Sequence, residues 1–418
     1  MRNVFDQYDQ PENRLTHALM VTLANDKKLV RPFLKLVGVK RAPALKDIEL
    51  GLQRVPGQEV DPIKDGKGGL PDGCLFDQDN WAVVIEAKVQ AGISINQLKR
   101  HRKTSARYGY EHPHVVLLSI DKPNSLPDWA THLEWKNLYS WFSRRTADSS
   151  WARHFVEYMH VFEAKMIAKD YNIRGTLTMF DGFKFSDAEP YTYAEGKRLI
   201  RLLGDELRKR KKLVKALGID TKETGRTAIT RGENGAVWDF LPLKTGRGKP
   251  FTTAVHLTLV IRPQEVNIAL TVPNAMRGVR KTLRKDAAEG LGRMLSQVEN
   301  NLRPVLKKVK TAKPMIYIHQ RHYKSQRSYP ETDGRIEVDL RTVLSTAKGL
   351  LKHQPGWLEC IFELLVKKKT NMQWGVQLHC PHSEKVMQSA KAIDIMVDTW
   401  VAMTPLMDFV TSLKRFRS

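Results

Sequence analysis

Two carboxylates and an ammonium fall close together in one stretch of this sequence. Asp72 stands between Pro71 and Gly73, and Glu86-Ala87-Lys88 closes an apolar run that starts at Trp81. Charges placed in an apolar strand are unfavourable to bury unless something compensates them. A bound metal ion or a charged substrate would do so. A structural ion pair between Glu86 and Lys88 is the plainer alternative.

The elements that must bring these groups together can be read from the surrounding pattern. The spacing predicts one strand over Gly73–Phe76 and a second over 81–89, rich in β-branched residues. Asp77-Gln78-Asp79-Asn80 between them is turn chemistry. Side chains alternate along a strand, so Val84, Glu86 and Lys88 share one face and Val83, Ile85, Ala87 and Val89 the other. Pairing of the two strands as a hairpin would set Asp72 beside Glu86.

A helix is expected before the hairpin, over Pro11–Asn25, with Pro11 suited to its first turn. Its apolar stripe is Leu15, Ala18, Leu19, Thr22 and Leu23, and Glu12 extends that stripe to the positive end of the helix dipole. An ordinary solvent-facing glutamate fits the same position equally well. A second helix is expected over 94–108. Ile95, Leu98 and Arg102 face one way, and Gln97 and His101, four apart, form a polar pair. Lys99, Arg100, Arg102, Lys103 and Arg107 make this helix basic with no balancing acid, which favours a phosphate-facing surface over a merely solvated one.

Further strands over 114–120 and 133–135 and a helix over 137–142 alternate with these, so 1–168 reads as a mixed α/β layer domain. A helical piece over 27–38 and a strand-like 59–61 precede the hairpin. Asp61 and Asp65 read as loop acidity among prolines and glycines. The segment 169–235 reads as a helical connector: short strands over 172–185, one long helix over 193–218 crossed by a basic block, then a linker. From 236 to 418 the expectation is an α+β domain with a mainly antiparallel sheet. Strands are expected over 236–243, 253–262, Glu265–Val272, 315–322, 335–340 and 371–379. Helices are expected over 281–301, 342–351, 357–367 and 389–416. Within it, Arg321, Lys324 and Arg327 surround Tyr323, mixing cations with a stackable ring as single-strand binders do, or forming a simple basic loop.

The chain of 418 residues carries 69 Lys and Arg against 45 Asp and Glu, a net charge of +24. That surplus favours a polyanionic partner, nucleic acid first. Its three cysteines form no Cys-x-x-Cys pair, which argues against a zinc site or a disulfide framework and for a reducing cytoplasm. No apolar run reaches membrane-spanning length and no signal-peptide core is visible, so no membrane partner is expected.

At Pro71-Asp72, Glu86-Ala87-Lys88 and Gln97 the first 168 residues or so resemble the PD-(D/E)XK nuclease superfamily. Four features stand in the family's order: a helix with Glu12, a strand with Pro-Asp, a strand with Glu-x-Lys, and a helix with Gln97. Members with a Gln-x-x-x-Tyr helix motif end it in tyrosine; here that position is His101. The resemblance implies a restriction-endonuclease-like fold, with a mixed sheet flanked by helices, and Mg²⁺- or Mn²⁺-dependent hydrolysis of phosphodiester bonds. DNA is the favoured substrate and endonuclease action the favoured mode. Asp72, Glu86 and the Ala87 carbonyl would hold the metal, and Glu12 a second ion or the first ion's water. Lys88 would orient the water or pair with the phosphate, and Gln97 would position either. Nucleases of this kind also occur in phage defence, which implies an antiviral role and a homodimer or defence-complex partner. The rival class keeps the fold and only binds nucleic acid, alone or as a structural subunit; the presence of all three core residues argues against it. The residues after 168 resemble no family.

Overall fold

The chain divides into two units, Met1–Met179 and Phe180–Ser418. The computed structural model describes residues 5, 10–57, 70–168, 176–223, 225–226, 235–274, 276, 279–325, 331–344, 354, 356–367 and 371–411. The expectations placed on 59–61, on Asp61 and Asp65, and on Arg327 lie outside the described residues.

The first unit runs α1 (Pro11–Asn25), α2 (Val30–Leu36), β1 (Glu49–Leu52), β2 (Gly73–Phe76), β3 (Ala82–Lys88), α3 (Ile95–Arg107), β4 (His114–Ser119), β5 (Ala130–Glu134), α4 (Trp135–Ser143) and α5 (Ser150–Ala168). Its five-stranded sheet has the order β1-β2-β3-β4-β5. β1, β2 and β3 pair antiparallel, whereas β3, β4 and β5 pair parallel, so the sheet changes character at β3. The sequence pattern did not reveal β1, four residues long with one buried position.

β3 is buried at every position before Lys88, and its side chains alternate between two layers. Val83, Ile85 and Ala87 join Leu15, Leu19 and Leu23 of α1 and Phe155, Met159 and Phe162 of α5 in one core cluster. Each large apolar side chain buried there contributes ~1.5–3 kcal/mol before the entropy of ordering it. On the opposite face, Leu98 of α3 packs with Val115 and Leu117 of β4 and with Ala130. Glu86 and Lys88 therefore lie in the layer between the sheet and α3.

The second unit comprises α6 (Tyr193–Arg208), α7 (Lys211–Leu217), β6 (Val237–Leu241), β7 (His256–Ile261), β8 (Glu265–Val272), α8 (Val279–Lys308), β9 (Lys313–His322), β10 (Glu331–Asp339), α9 (Leu340–Val343), α10 (Gly356–Lys367), β11 (Met372–Pro381), α11 (Ala392–Ala402) and α12 (Thr404–Thr411). Its six strands, in the order β10-β9-β11-β8-β7-β6, pair antiparallel throughout. The α+β expectation for this part is met.

Three sequence expectations differ from the structure here. The single helix over 193–218 is two, because the chain turns at Lys209-Arg210. Arg210 then reaches Asp394 (3.3 Å) and Lys212 reaches Asp398 (2.6 Å), both on α11. Arg208 and Lys209, before the turn, pair within α6 with Asp205 and Glu206. Leu199, Leu203, Leu207, Leu213 and Leu217 belong to the core of the second unit, so α6 and α7 do not form a separate connector. No strand forms over 176–185. The N–H groups of Leu177 and Thr178 donate instead to the Glu163 carboxylate of α5 (2.5 and 3.4 Å), which removes the need for a ladder. The helix expected over 342–351 is one turn at Leu340–Val343 within the described residues. Among the described residues no helix is long and apolar enough to cross a membrane.

Candidate active site

The hairpin between β2 and β3 is fixed by local chemistry. Asp77 Oδ1 accepts from the N–H groups of Asp79 (3.0 Å) and Trp81 (2.9 Å), closing the turn as an Asx motif. The register then sets Gly73 opposite Ile85. Gly73 packs closely under α1: a Cβ there would come 3.2 Å from Met20 Cγ and 3.3 Å from Thr16 Cγ2, tight contacts that those side chains would have to yield to. The helix can therefore lie close to β2, and its first turn, with Glu12, comes near Asp72.

Asp72 stands one residue before the ladder begins and completes it with a side chain. Its Oδ2 accepts from the Ala87 N–H at 2.7 Å, and its Oδ1 has no hydrogen-bond partner among the described residues. Burial raises the Asp72 carboxyl, the Glu86 carboxylate raises it further, and Glu12 adds to this. The Ala87 N–H and Lys88 oppose the rise, and the net result is a group pushed up to about 7. Burial is the larger cause, and the neighbouring Glu86 carboxylate adds to it.

Glu86 is 1% exposed, on the α3 face of β3 as alternation requires. Lys88 Nζ lies 2.6 Å from Oε1, and His101 Nε2 lies 2.8 Å from Oε2. A carboxylate only accepts, so the imidazole donates from Nε2. Lys88 is tied down through its backbone as well: its carbonyl accepts from Trp135 Nε1 (3.3 Å).

Glu12, expected to hold a second ion or the first ion's water, has one oxygen committed to the backbone. Its Oε1 accepts from the N–H groups of Val89 (3.2 Å), Gln90 (2.8 Å) and Ala91 (3.1 Å), the three residues that leave β3. Burial alone would raise this carboxyl; the backbone donors together outweigh burial and hold it below the ordinary glutamate value. Glu12 therefore clamps the end of the strand that carries Glu86 and Lys88. We expect Glu12→Ala to lower the unfolding free energy by about 1–3 kcal/mol, measured by urea denaturation at neutral pH. Because the folded-state value is depressed, that difference shrinks as the pH falls through it. An unchanged urea midpoint would show that water replaces the clamp without loss.

The remaining expectations separate clearly. Ser94 caps α3 by accepting from the Gln97 N–H (3.3 Å), but the Gln97 side chain makes no hydrogen bond to Glu86, Lys88 or His101. The residue that α3 does bring to the acid pair is His101. Its signal was present in the sequence: Leu98, His101 and Ser105 are spaced three and four apart, and all three are buried. Ala87 contributes its N–H to Asp72, with its side chain buried in the opposite layer. Arg102, expected on a phosphate-facing surface, stacks its guanidinium on Trp129 at 5.1 Å. Lys99, Arg100, Lys103 and Arg107 are exposed, lie on the outer face of α3, and form no ion pair among the described residues. In the second unit, Lys324 pairs with Glu331 (2.6 Å), and His322 lies 2.5 Å from Asp333, so the basic cluster around Tyr323 is partly neutralised. Arg321 is half-buried at the end of β9.

The donor set suits a hard cation. Two carboxylates with one free oxygen on Asp72 resemble the sparse protein ligation of Mg²⁺, which keeps most of its waters or takes substrate phosphate oxygens. No group of three or more His, Cys, Asp or Glu side chains disposed to hold a metal ion occurs among the described residues. No protein-family model, curated protein or solved structure matches the chain.

Proposed function

We propose that the chain is a metal-dependent nuclease that hydrolyses phosphodiester bonds, DNA being the favoured substrate. The observation that carries this reading is the meeting of Asp72, Glu86 and Lys88 at the end of β3, with Asp72 raised to about 7 by burial and a neighbouring carboxylate. Such a pair is poorly compensated by protein alone and well compensated by a divalent cation. The order of elements supports a restriction-endonuclease-like fold for the first unit: α1 with Glu12, the hairpin with Asp72 and Glu86-x-Lys88, then α3 and the parallel strand β4.

A bound Mg²⁺ or Mn²⁺ would lower the pKa of its water and stabilise charge developing on the phosphate. The chain's own residues supply the frame. Asp72 and Glu86 present oxygens to the ion. The Ala87 N–H fixes the Asp72 carboxylate, and Glu12 fixes the backbone beyond Lys88. The Lys88 ammonium can meet a phosphate oxygen once Glu86 no longer holds it. The test is cleavage of DNA and RNA in Mg²⁺ or Mn²⁺ against EDTA, with Asp72→Ala and Glu86→Ala as controls. Metal-dependent cleavage lost in both variants is expected; binding without cleavage in the wild type would sink the enzyme.

A second reading, a module that only binds nucleic acid, is favoured by one observation: both Glu86 oxygens are already engaged, by Lys88 and His101. Either reading uses the cations on α3. Replacing Lys99, Arg100, Lys103 and Arg107 together by Gln is expected to weaken nucleic-acid binding and to flatten its salt dependence. The slope of log K against log salt should drop by about 0.9 for each duplex phosphate that the variant no longer neutralises. A slope identical to wild type would place the phosphate-binding cations elsewhere.

A further inference from the structure

Glu86 has two oxygens held in two different ways. Oε2 meets His101 Nε2 at 2.8 Å, and both side chains are almost wholly excluded from solvent, at 2% and 1%. His101 sits in the middle of a thirteen-residue helix that is capped by Ser94 and anchored on the sheet by Leu98. Oε1 meets Lys88 Nζ at 2.6 Å, and this side chain is 12% exposed. An imidazole on a packed helix is a stiff partner. An ammonium on a four-carbon stem is a mobile one.

We infer that His101 is a positioning residue for Glu86: it fixes Oε2, and so leaves Oε1, the oxygen Lys88 occupies, as the one for which a divalent cation competes. The inference rests on the nuclease reading of this site and deepens it. Lys88 then holds the acid pair together in the metal-free protein and is released from Glu86 as a cation takes its place. Partners of metal ligands commonly act this way, fixing the ligand's rotamer without touching the ion. His101 Nδ1 and Ser105 Oγ, one helical turn apart, are buried with no hydrogen-bond partner among the described residues. Among those residues, the imidazole's one hydrogen bond is therefore the bond to Glu86.

Ion-pair competition and a static buried triad predict different binding. Mn²⁺ binding by the full chain is measured calorimetrically for wild type, His101→Ala, His101→Gln and Lys88→Met, each checked for wild-type circular dichroism. His101→Ala should bind Mn²⁺ about 10–100-fold more weakly, and His101→Gln, which keeps an N–H donor, should recover part of the loss. Lys88→Met should bind at least as tightly as wild type, because the competitor for Oε1 is gone. His101→Ala with wild-type affinity, His101→Gln as weak as His101→Ala, or Lys88→Met with weaker affinity overturns the positioning role and leaves the nuclease reading standing. Absence of Mn²⁺ binding in the wild type removes both.

Discussion

Lys88→Met is expected to lower the rate of metal-dependent cleavage by about 10²–10⁴-fold while leaving the protein folded. Methionine keeps most of the stem that packs at the end of β3 and removes only the ammonium. That ammonium lies 2.6 Å from Glu86 Oε1, so the variant loses an ion pair as well. Breaking a buried pair by removing one partner is usually strongly destabilising. Here the loss is softened, because His101 still donates to Oε2 and because Lys88 is at the solvent edge of the layer. The stability change should therefore be small beside the rate change. Single-turnover cleavage at saturating Mn²⁺ separates the two effects, since it reads the chemical step on folded, substrate-bound protein. A single-turnover rate close to that of wild type would show that Lys88 takes no part in the chemistry. Its pairing with Glu86 would then be purely structural.

How much of this was legible in the sequence follows from the range of each interaction. The hairpin was legible because its causes are local: the Asp77 turn, the β-branched run after it and the period-two alternation all lie close together in the chain. That was enough to set Asp72 beside Glu86. α1 was legible through its stripe, which the structure buries at Leu15, Ala18, Leu19, Thr22 and Leu23. The task of Glu12 was not. Its three backbone donors are 77 to 79 residues away, and no periodicity reports where a strand's end will lie. His101 shows a subtler failure. Its place on the buried stripe of α3 could be counted, but a polar residue on an apolar stripe is ambiguous until the opposing strand is known. Glu86 resolves it. The stacking of Arg102 was not legible for the matching reason: Trp129, its partner, lies beyond an intervening strand. β1 escaped because an edge strand with one buried position leaves almost no pattern. In the second unit the sheet was readable strand by strand, whereas Asp394 and Asp398, the carboxylates that Arg210 and Lys212 meet after the break between α6 and α7, lie far along the chain on α11.

Asp72→Asn should make the metal-free protein more stable at pH 8 and leave it nearly unchanged at pH 4. The sign follows from linkage. Burial, the Glu86 carboxylate and Glu12 raise Asp72 from 3.8 to about 7 in the folded chain. Between those values the native state binds a proton that the unfolded chain has lost, so stability is fully present at low pH and falls as the pH rises. The fall is at most about 1.4 kcal/mol per pH unit over that window. Asparagine carries no charge at any pH, and its amide oxygen can still accept the Ala87 N–H that Asp72 Oδ2 accepts at 2.7 Å. The variant therefore keeps the hydrogen bond and loses the repulsion. Thermal denaturation in EDTA at several pH values gives the comparison, and titrating groups remote from Asp72 cancel in the difference. Adding Mg²⁺ at pH 8 should then stabilise the wild type more than the variant, because the variant meets the ion with one carboxylate instead of two. A wild type that loses no stability relative to the variant between pH 4 and pH 8 would mean that the two carboxylates do not oppose each other in solution. A gain with Mg²⁺ that is equal in both proteins would place the cation away from Asp72.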